Sequence, residues 1–93
     1  MTAPFQNTLK ERKRYILYEP AGDEEVQQKH KELFGIHGAA KAGIIPVEQR
    51  EQKSILRVAH NSVDELKAAL VFSNKKSIKT SGTLQGVRKL LKQ

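Results

Sequence analysis

The sequence predicts a small α+β domain with elements in the order β-α-β-β-α-β and one further helix at the C-terminus. Three observations predict it. Four short runs are rich in β-forming residues, two stretches between them carry apolar residues at helical spacing, and Gly, Pro or polar clusters separate each run from the next. The chain of 93 residues allows one domain, 1–93, with residues 1–13 as a basic N-terminal arm.

The first strand is residues 14–19, where Tyr15, Ile16, Leu17 and Tyr18 favour extended structure and Pro20, Ala21 and Gly22 stop it. A helix opens at Asp23, Glu24 and Glu25. Asp23 suits the cap, and the three acids suit the positive end of the helix dipole. Val26, His30, Leu33 and Phe34 make its inward stripe, and Gly35 is its expected stop. Residues 36–43 form a small-residue connection, and residues 44–48 a second strand that Pro46 assigns to a sheet edge. After a polar hairpin connection at residues 49–53, the apolar density of residues 54–60 predicts a third, central strand.

Ser62 and Glu65 have capping-box spacing ahead of a second helix, whose inward stripe is Val63, Leu66, Ala69 and Leu70. Residues 77–81 are a fourth strand, broken by Gly82. Residues 83–92 are a last helix with Leu84, Val87, Leu90 and Leu91 inward. Gly86 weakens that helix by roughly 1 kcal/mol relative to Ala. This order is the split βαβ, ferredoxin-like (RRM-like) sandwich, in which the first strand lies between the third and the last. The start of the first strand then sits beside the end of the last, which brings Arg12, Lys13 and Arg14 to Thr80, Ser81, Gly82 and Thr83. The strands carry apolar residues on both faces: Ile55 and Ala59 oppose Leu56 and Val58. Two helices cover one face; the C-terminal helix or a partner protein must cover the other.

The net charge of +7 is unevenly distributed. Residues 1–14 hold Lys10, Arg12, Lys13 and Arg14 against Glu11, and residues 15–70 hold seven Lys or Arg against nine Asp or Glu. Residues 71–93 hold Lys75, Lys76, Lys79, Arg88, Lys89 and Lys92 with no acid. Clustered cations attract polyanions through counterion release. Ser81, Gly82 and Thr83 stand at a helix start, where free N–H groups favour an anion. Two readings of the triplet stand: a phosphate site completed by the flanking cations, or a helix cap. Stacking of bases on sheet aromatics is disfavoured, because the third strand has none and Tyr15 and Tyr18 face opposite sides.

Other chemistries find no support. The chain has no Cys, and His30, His37 and His60 have no metal-site spacing. Gly35, Gly38 and Gly43 miss the spacing of a nucleotide loop. The N-terminus lacks a signal-peptide pattern, and no apolar run approaches the ~20 residues of a membrane helix, so an intracellular protein without membrane contact is expected. It is not expected to be an enzyme by itself.

Three stretches resemble the ribonuclease P protein component 2 family of archaea and eukaryotes. Lys10, Glu11, Arg12, Lys13, Arg14, Tyr15 and Ile16 resemble its basic lead-in to the first strand. Gly38, Ala39, Ala40, Lys41, Ala42 and Gly43 resemble its small-residue segment before the second strand. Ile78, Lys79, Thr80, Ser81, Gly82, Thr83 and Leu84 resemble its strand-to-helix junction, although Thr80 stands where an apolar residue is expected. The resemblance implies a subunit that binds and stabilises the catalytic RNA that removes the 5′ leader from precursor tRNA. Catalysis there belongs to the RNA and its magnesium, with no cofactor on this chain. It also implies a TIM-barrel partner, component 3, self-association in a two-plus-two assembly, and a cytoplasmic location, or a nuclear one in a eukaryote. By similarity the RNA-facing residues are Arg12, Lys13, Arg14, Ser81, Gly82 and Thr83, with Lys41, Lys79, Arg88 and Lys92 beside them. The alternative is a generic basic ferredoxin-like RNA-binding or ribosome-associated protein.

Overall fold

A computed structural model describes residues 12–91. Its elements are β1 (Lys13–Glu19), α1 (Asp23–Ala42), β2 (Ile45–Arg50), β3 (Lys53–Ala59), α2 (Val63–Phe72), β4 (Lys76–Ser81) and α3 (Leu84–Leu91). The strands form one antiparallel sheet in the order β2-β3-β1-β4, the ferredoxin-like arrangement with a helix appended. β3 is central as its apolar density predicts. β2 is an edge, where Pro46 withholds no ladder bond that a neighbour needs. The other edge, β4, exposes Lys76 and Lys79, which discourage pairing with a further strand.

Alternation along the strands divides the core in two. On one face Ile16, Tyr18, Leu56 and Val58 pack under Val26 and Ala42 of α1 and Leu66, Ala69 and Leu70 of α2. On the other, Leu17 and Ile55 pack under Val87 and Leu91 of α3, with Tyr15, Leu84 and Leu90 around them. The C-terminal helix therefore covers the second face of this chain, with the stripe that its sequence predicts.

The helix starts differ from expectation. Asp23 is not the cap of α1: Gly22 holds that position with no side-chain bond, and Asp23 is the first helical residue. Tyr18 and Ser54 are directly paired across β1 and β3, so both hydroxyls rise from the same face. Both donate to Asp23 Oδ1, Ser54 at 2.6 Å. Burial, and then the bond to Asp23, push the Tyr18 phenol well above its ordinary pKa. The capping box at Ser62 does not form either. A single 3-10 turn, His60–Ser62, buries Ser62 without a side-chain bond, and Glu65 instead meets Nε2 of buried His30 at 3.3 Å.

α1 also runs further than its sequence suggests. Gly35 takes φ 80°, which breaks the helical path, but Ala39, Ala40, Lys41 and Ala42 are good helix formers and the helix resumes. The stop is Gly43, in the left-handed conformation with its N–H donating to the Ala39 carbonyl at 3.1 Å. Residues 36–42 are thus helix rather than connection. Leu33 and Phe34, expected inward, are 40% and 37% exposed, because the packed part of this first segment ends at His30. The Phe34 ring lies on the His30 ring at 4.9 Å.

Candidate nucleic-acid interface

The antiparallel order gathers the start of β1, the end of β3, the end of β4 and the starts of α2 and α3 at one end of the sheet. Tyr15 pairs with Ser81 and Ile16 with Thr80, so the residue before Tyr15 reaches the turn after Ser81. A Cβ built on Gly82 would lie 3.2 Å from Arg14 Nη1: the guanidinium rests on the space that the glycine leaves. Arg14 Nη1 also donates to the Lys13 carbonyl at 3.2 Å. Arg12 is exposed beside them, and its carbonyl accepts the His60 N–H at 3.0 Å. Lys13 is half-buried opposite Ala59. Residues of the basic arm before Arg12, Lys10 among them, lie outside the described residues.

Local hydrogen bonds fix the junction. Ser81 Oγ accepts the Thr83 N–H at 3.2 Å, Thr83 Oγ1 accepts the Gly86 N–H at 3.2 Å, and the two hydroxyl oxygens are 3.4 Å apart. Thr83 is thus the N-cap of α3, bonded to its third helical residue. The capping reading of the triplet is realised. It spends a lone pair of each hydroxyl, and the Leu84 and Gln85 N–H groups, at the positive end of the helix, have no intrahelical acceptor. Gly86, unfavourable by propensity, has a packing reason: a Cβ there would stand 3.0 Å from Ser81 Cβ and closer still to its hydroxyl.

The remaining cations are not gathered at this junction. Lys79 is exposed on β4 opposite Leu17, toward the side of α3. Lys41 is exposed in the last turn of α1 and leads into β2, three strands from β4 and hence about 14 Å across the sheet. Arg88 is on α3 with Nε 2.9 Å from Glu48 Oε1 of β2, an exposed pair across the helix from the junction. Lys75 turns inward, its Nζ 3.1 Å from Glu25 Oε1, so it leaves the C-terminal basic run. Lys92 lies outside the described residues. The sequence reading missed Arg57, a charge inside the apolar run of β3 whose Nε is buried without a partner among the described residues. A cation between Leu56 and Val58 in a strand read as central was the available signal.

Away from this end, an open cleft of about 310 Å³ follows α1, lined by Gln27, Gln28, Lys31 and Ile44 with His30 in its wall. Among the described residues no three His, Cys, Asp or Glu side chains group as metal ligands, and no helix is long and apolar enough to cross a membrane. No protein-family model matches the chain, and no curated protein matches it. The likeness to ribonuclease P component 2 rests on the three sequence stretches.

Proposed function

We propose that the chain is an RNA-binding protein subunit of ribonuclease P, which stabilises the catalytic RNA for removal of the 5′ leader from precursor tRNA. The observation that carries this reading is the meeting of Arg14 with Gly82 at the start of α3, since both belong to stretches that resemble the family. Arg12, Lys13 and Arg14 supply charge, and the Leu84 and Gln85 N–H groups supply directed donors for a phosphate. Ser81 and Thr83 shape that surface through the cap, and Gly82 lets the guanidinium approach. Lys41, Lys79 and Arg88 add cations at a distance from it, and by the resemblance Lys92 adds another. Magnesium and the chemical step belong to the RNA, and the chain acts with a TIM-barrel component 3 and a second copy of itself.

The test is reconstitution of the catalytic RNA with component 3, with and without this chain, at limiting magnesium. The chain should raise cleavage of precursor tRNA at the mature 5′ end severalfold. Unchanged cleavage would sink the ribonuclease P reading, and RNA binding that persists without it would leave a general RNA binder.

A further inference from the structure

A second surface lies on the α3 side of the sheet, centred on Arg57. Arg57 stands directly opposite Tyr15 on β1 and Ile45 on β2, and Tyr15 stands opposite Ser81 on β4. Directly paired residues of antiparallel strands project to the same face, so Ser81, Tyr15, Arg57 and Ile45 form one row across all four strands. α3 reaches the Ser81 and Tyr15 end of this row, where Tyr15 packs against the Leu17, Ile55, Val87 and Leu91 cluster; toward β2 the row opens, with Arg57 half-buried and Ile45 43% exposed. The next pair toward the sheet end is Lys13 opposite Ala59.

Arg57 differs from Lys75 and Arg88, the cations paired between elements. Lys75 meets Glu25 and Arg88 meets Glu48, but Arg57 makes no hydrogen bond or ion pair with a described residue, and its Nε is fully buried. A guanidinium is always charged, and a buried donor without an acceptor is costly enough to need an explanation. Arg57 stands in register between Tyr15 and Ile45, and with Nε buried it is the terminal N–H groups of the guanidinium that are left for two oxygens of an external anion. Tyr15 beside it, packed against the α3 cluster but not fully buried, is the aromatic available to a base, and Lys13 extends the charge.

We propose that this row binds unpaired RNA, with Arg57 on a backbone phosphate, Tyr15 against a base and Lys13 on the neighbouring phosphate. It rests on the RNA-binding reading of the sheet end, with which it shares Ser81. The single aromatic makes it a site for one or two nucleotides rather than a sequence-reading platform.

Fluorescence anisotropy with a labelled 12-nucleotide unpaired RNA and a 12-base-pair RNA duplex, across a salt series, tests it. Arg57→Gln should weaken the unpaired probe roughly tenfold and lower its log–log salt slope by about 0.7, while duplex affinity stays within about twofold. Tyrosine emission should be quenched by the unpaired probe, and Tyr15→Leu should abolish the quench. Unchanged affinity in folded Arg57→Gln would overturn the proposal, as would a 12-residue polyglutamate that displaces the probe as well as RNA does. If Arg57→Gln does not fold, Arg57→Lys decides: it keeps stem and charge but loses the fork, so undiminished binding contradicts the role given to Arg57. Wild-type protein that binds neither probe overturns both RNA readings, and binding of the duplex alone overturns this row only. Loss of unpaired-RNA binding in Arg57→Gln, with no effect of the chain on precursor-tRNA cleavage, removes ribonuclease P and leaves the row.

Discussion

The face of the sheet under α1 and α2 and the face under α3 are built differently. The first buries two helices against Ile16, Tyr18, Leu56 and Val58, and its interior hydroxyls at Tyr18 and Ser54 end on the Asp23 carboxylate. The second buries Val87 and Leu91 of one short helix against Leu17 and Ile55, and leaves Arg57 without an acceptor among the described residues. Apolar burial contributes about 1.5–3 kcal/mol for each fully buried Val, Leu or Ile, so the first face carries more of the stability. A surface that meets an external anion has to leave donors unspent; Arg57 does so within the second face, and Arg14 does so at the end of the first. The larger apolar core and the unpaired Arg57 lie on opposite faces of the sheet, and Arg14, opposite Val58, stands at the end of the first.

Substitutions on the two faces break or sharpen this contrast. The largest effect is expected for Leu66→Ala under α2, a loss of about 3–5 kcal/mol, against about 1–2 kcal/mol for Val87→Ala under α3. Urea unfolding of the two variants measures the difference, and equal losses would remove the asymmetry. Asp23→Ala comes next. It strands the Tyr18 and Ser54 hydroxyls in the core at a cost of about 2–4 kcal/mol, and Asp23→Asn, which keeps an acceptor oxygen, should recover part of it.

The same cluster has a pH signature. The Tyr18 phenol holds its proton more tightly in the folded protein than in the unfolded chain. Its contribution to stability is therefore complete below the unfolded value of about 10, and declines as pH rises above that toward the raised folded value. Urea midpoints at pH 9 and pH 11 should fall further for the wild type than for Tyr18→Phe. The smallest effect is at the α3 junction. Gly86→Ala gains roughly 1 kcal/mol of helix propensity but drives a methyl into the Ser81 side chain, so it should not stabilise the protein. In a Ser81→Gly background, which removes both Ser81 atoms that the methyl meets, the same change should be less unfavourable, a coupling that a double-mutant cycle reads directly.

The sequence carried the strands and their order, because period-2 runs and turn residues are local signals. It carried the stripe of α3, where Leu84, Val87, Leu90 and Leu91 repeat cleanly. It misplaced the two helix starts, because Asp23 and Glu65 have partners that are distant in sequence: Tyr18 and Ser54 for one, His30 for the other. No local pattern reveals that a carboxylate will be claimed by a hydroxyl across a sheet. Gly35 misled for a different reason. A glycine with positive φ both ends helices and kinks them, and only the helix-forming residues after it distinguish the two. For the candidate site, topology brought Arg14 to Gly82 as expected, since that follows from strand order alone. Arg88 and Lys75 were counted as free cations, and their pairing with Glu48 and Glu25 depended on tertiary neighbours. Arg57 escaped notice because its isolation is visible only once the pairings on both sides of β3 are known.

The claim that joins these observations is that the basic start of β1 and the Ser81, Gly82 and Thr83 junction grip RNA backbone as one surface. The most direct test is the salt dependence of binding to the catalytic RNA of ribonuclease P for the wild type and for Arg12→Gln/Arg14→Gln. Removal of two phosphate contacts should weaken binding and lower the log–log salt slope by about 2. An unchanged slope in the folded double variant would contradict the account.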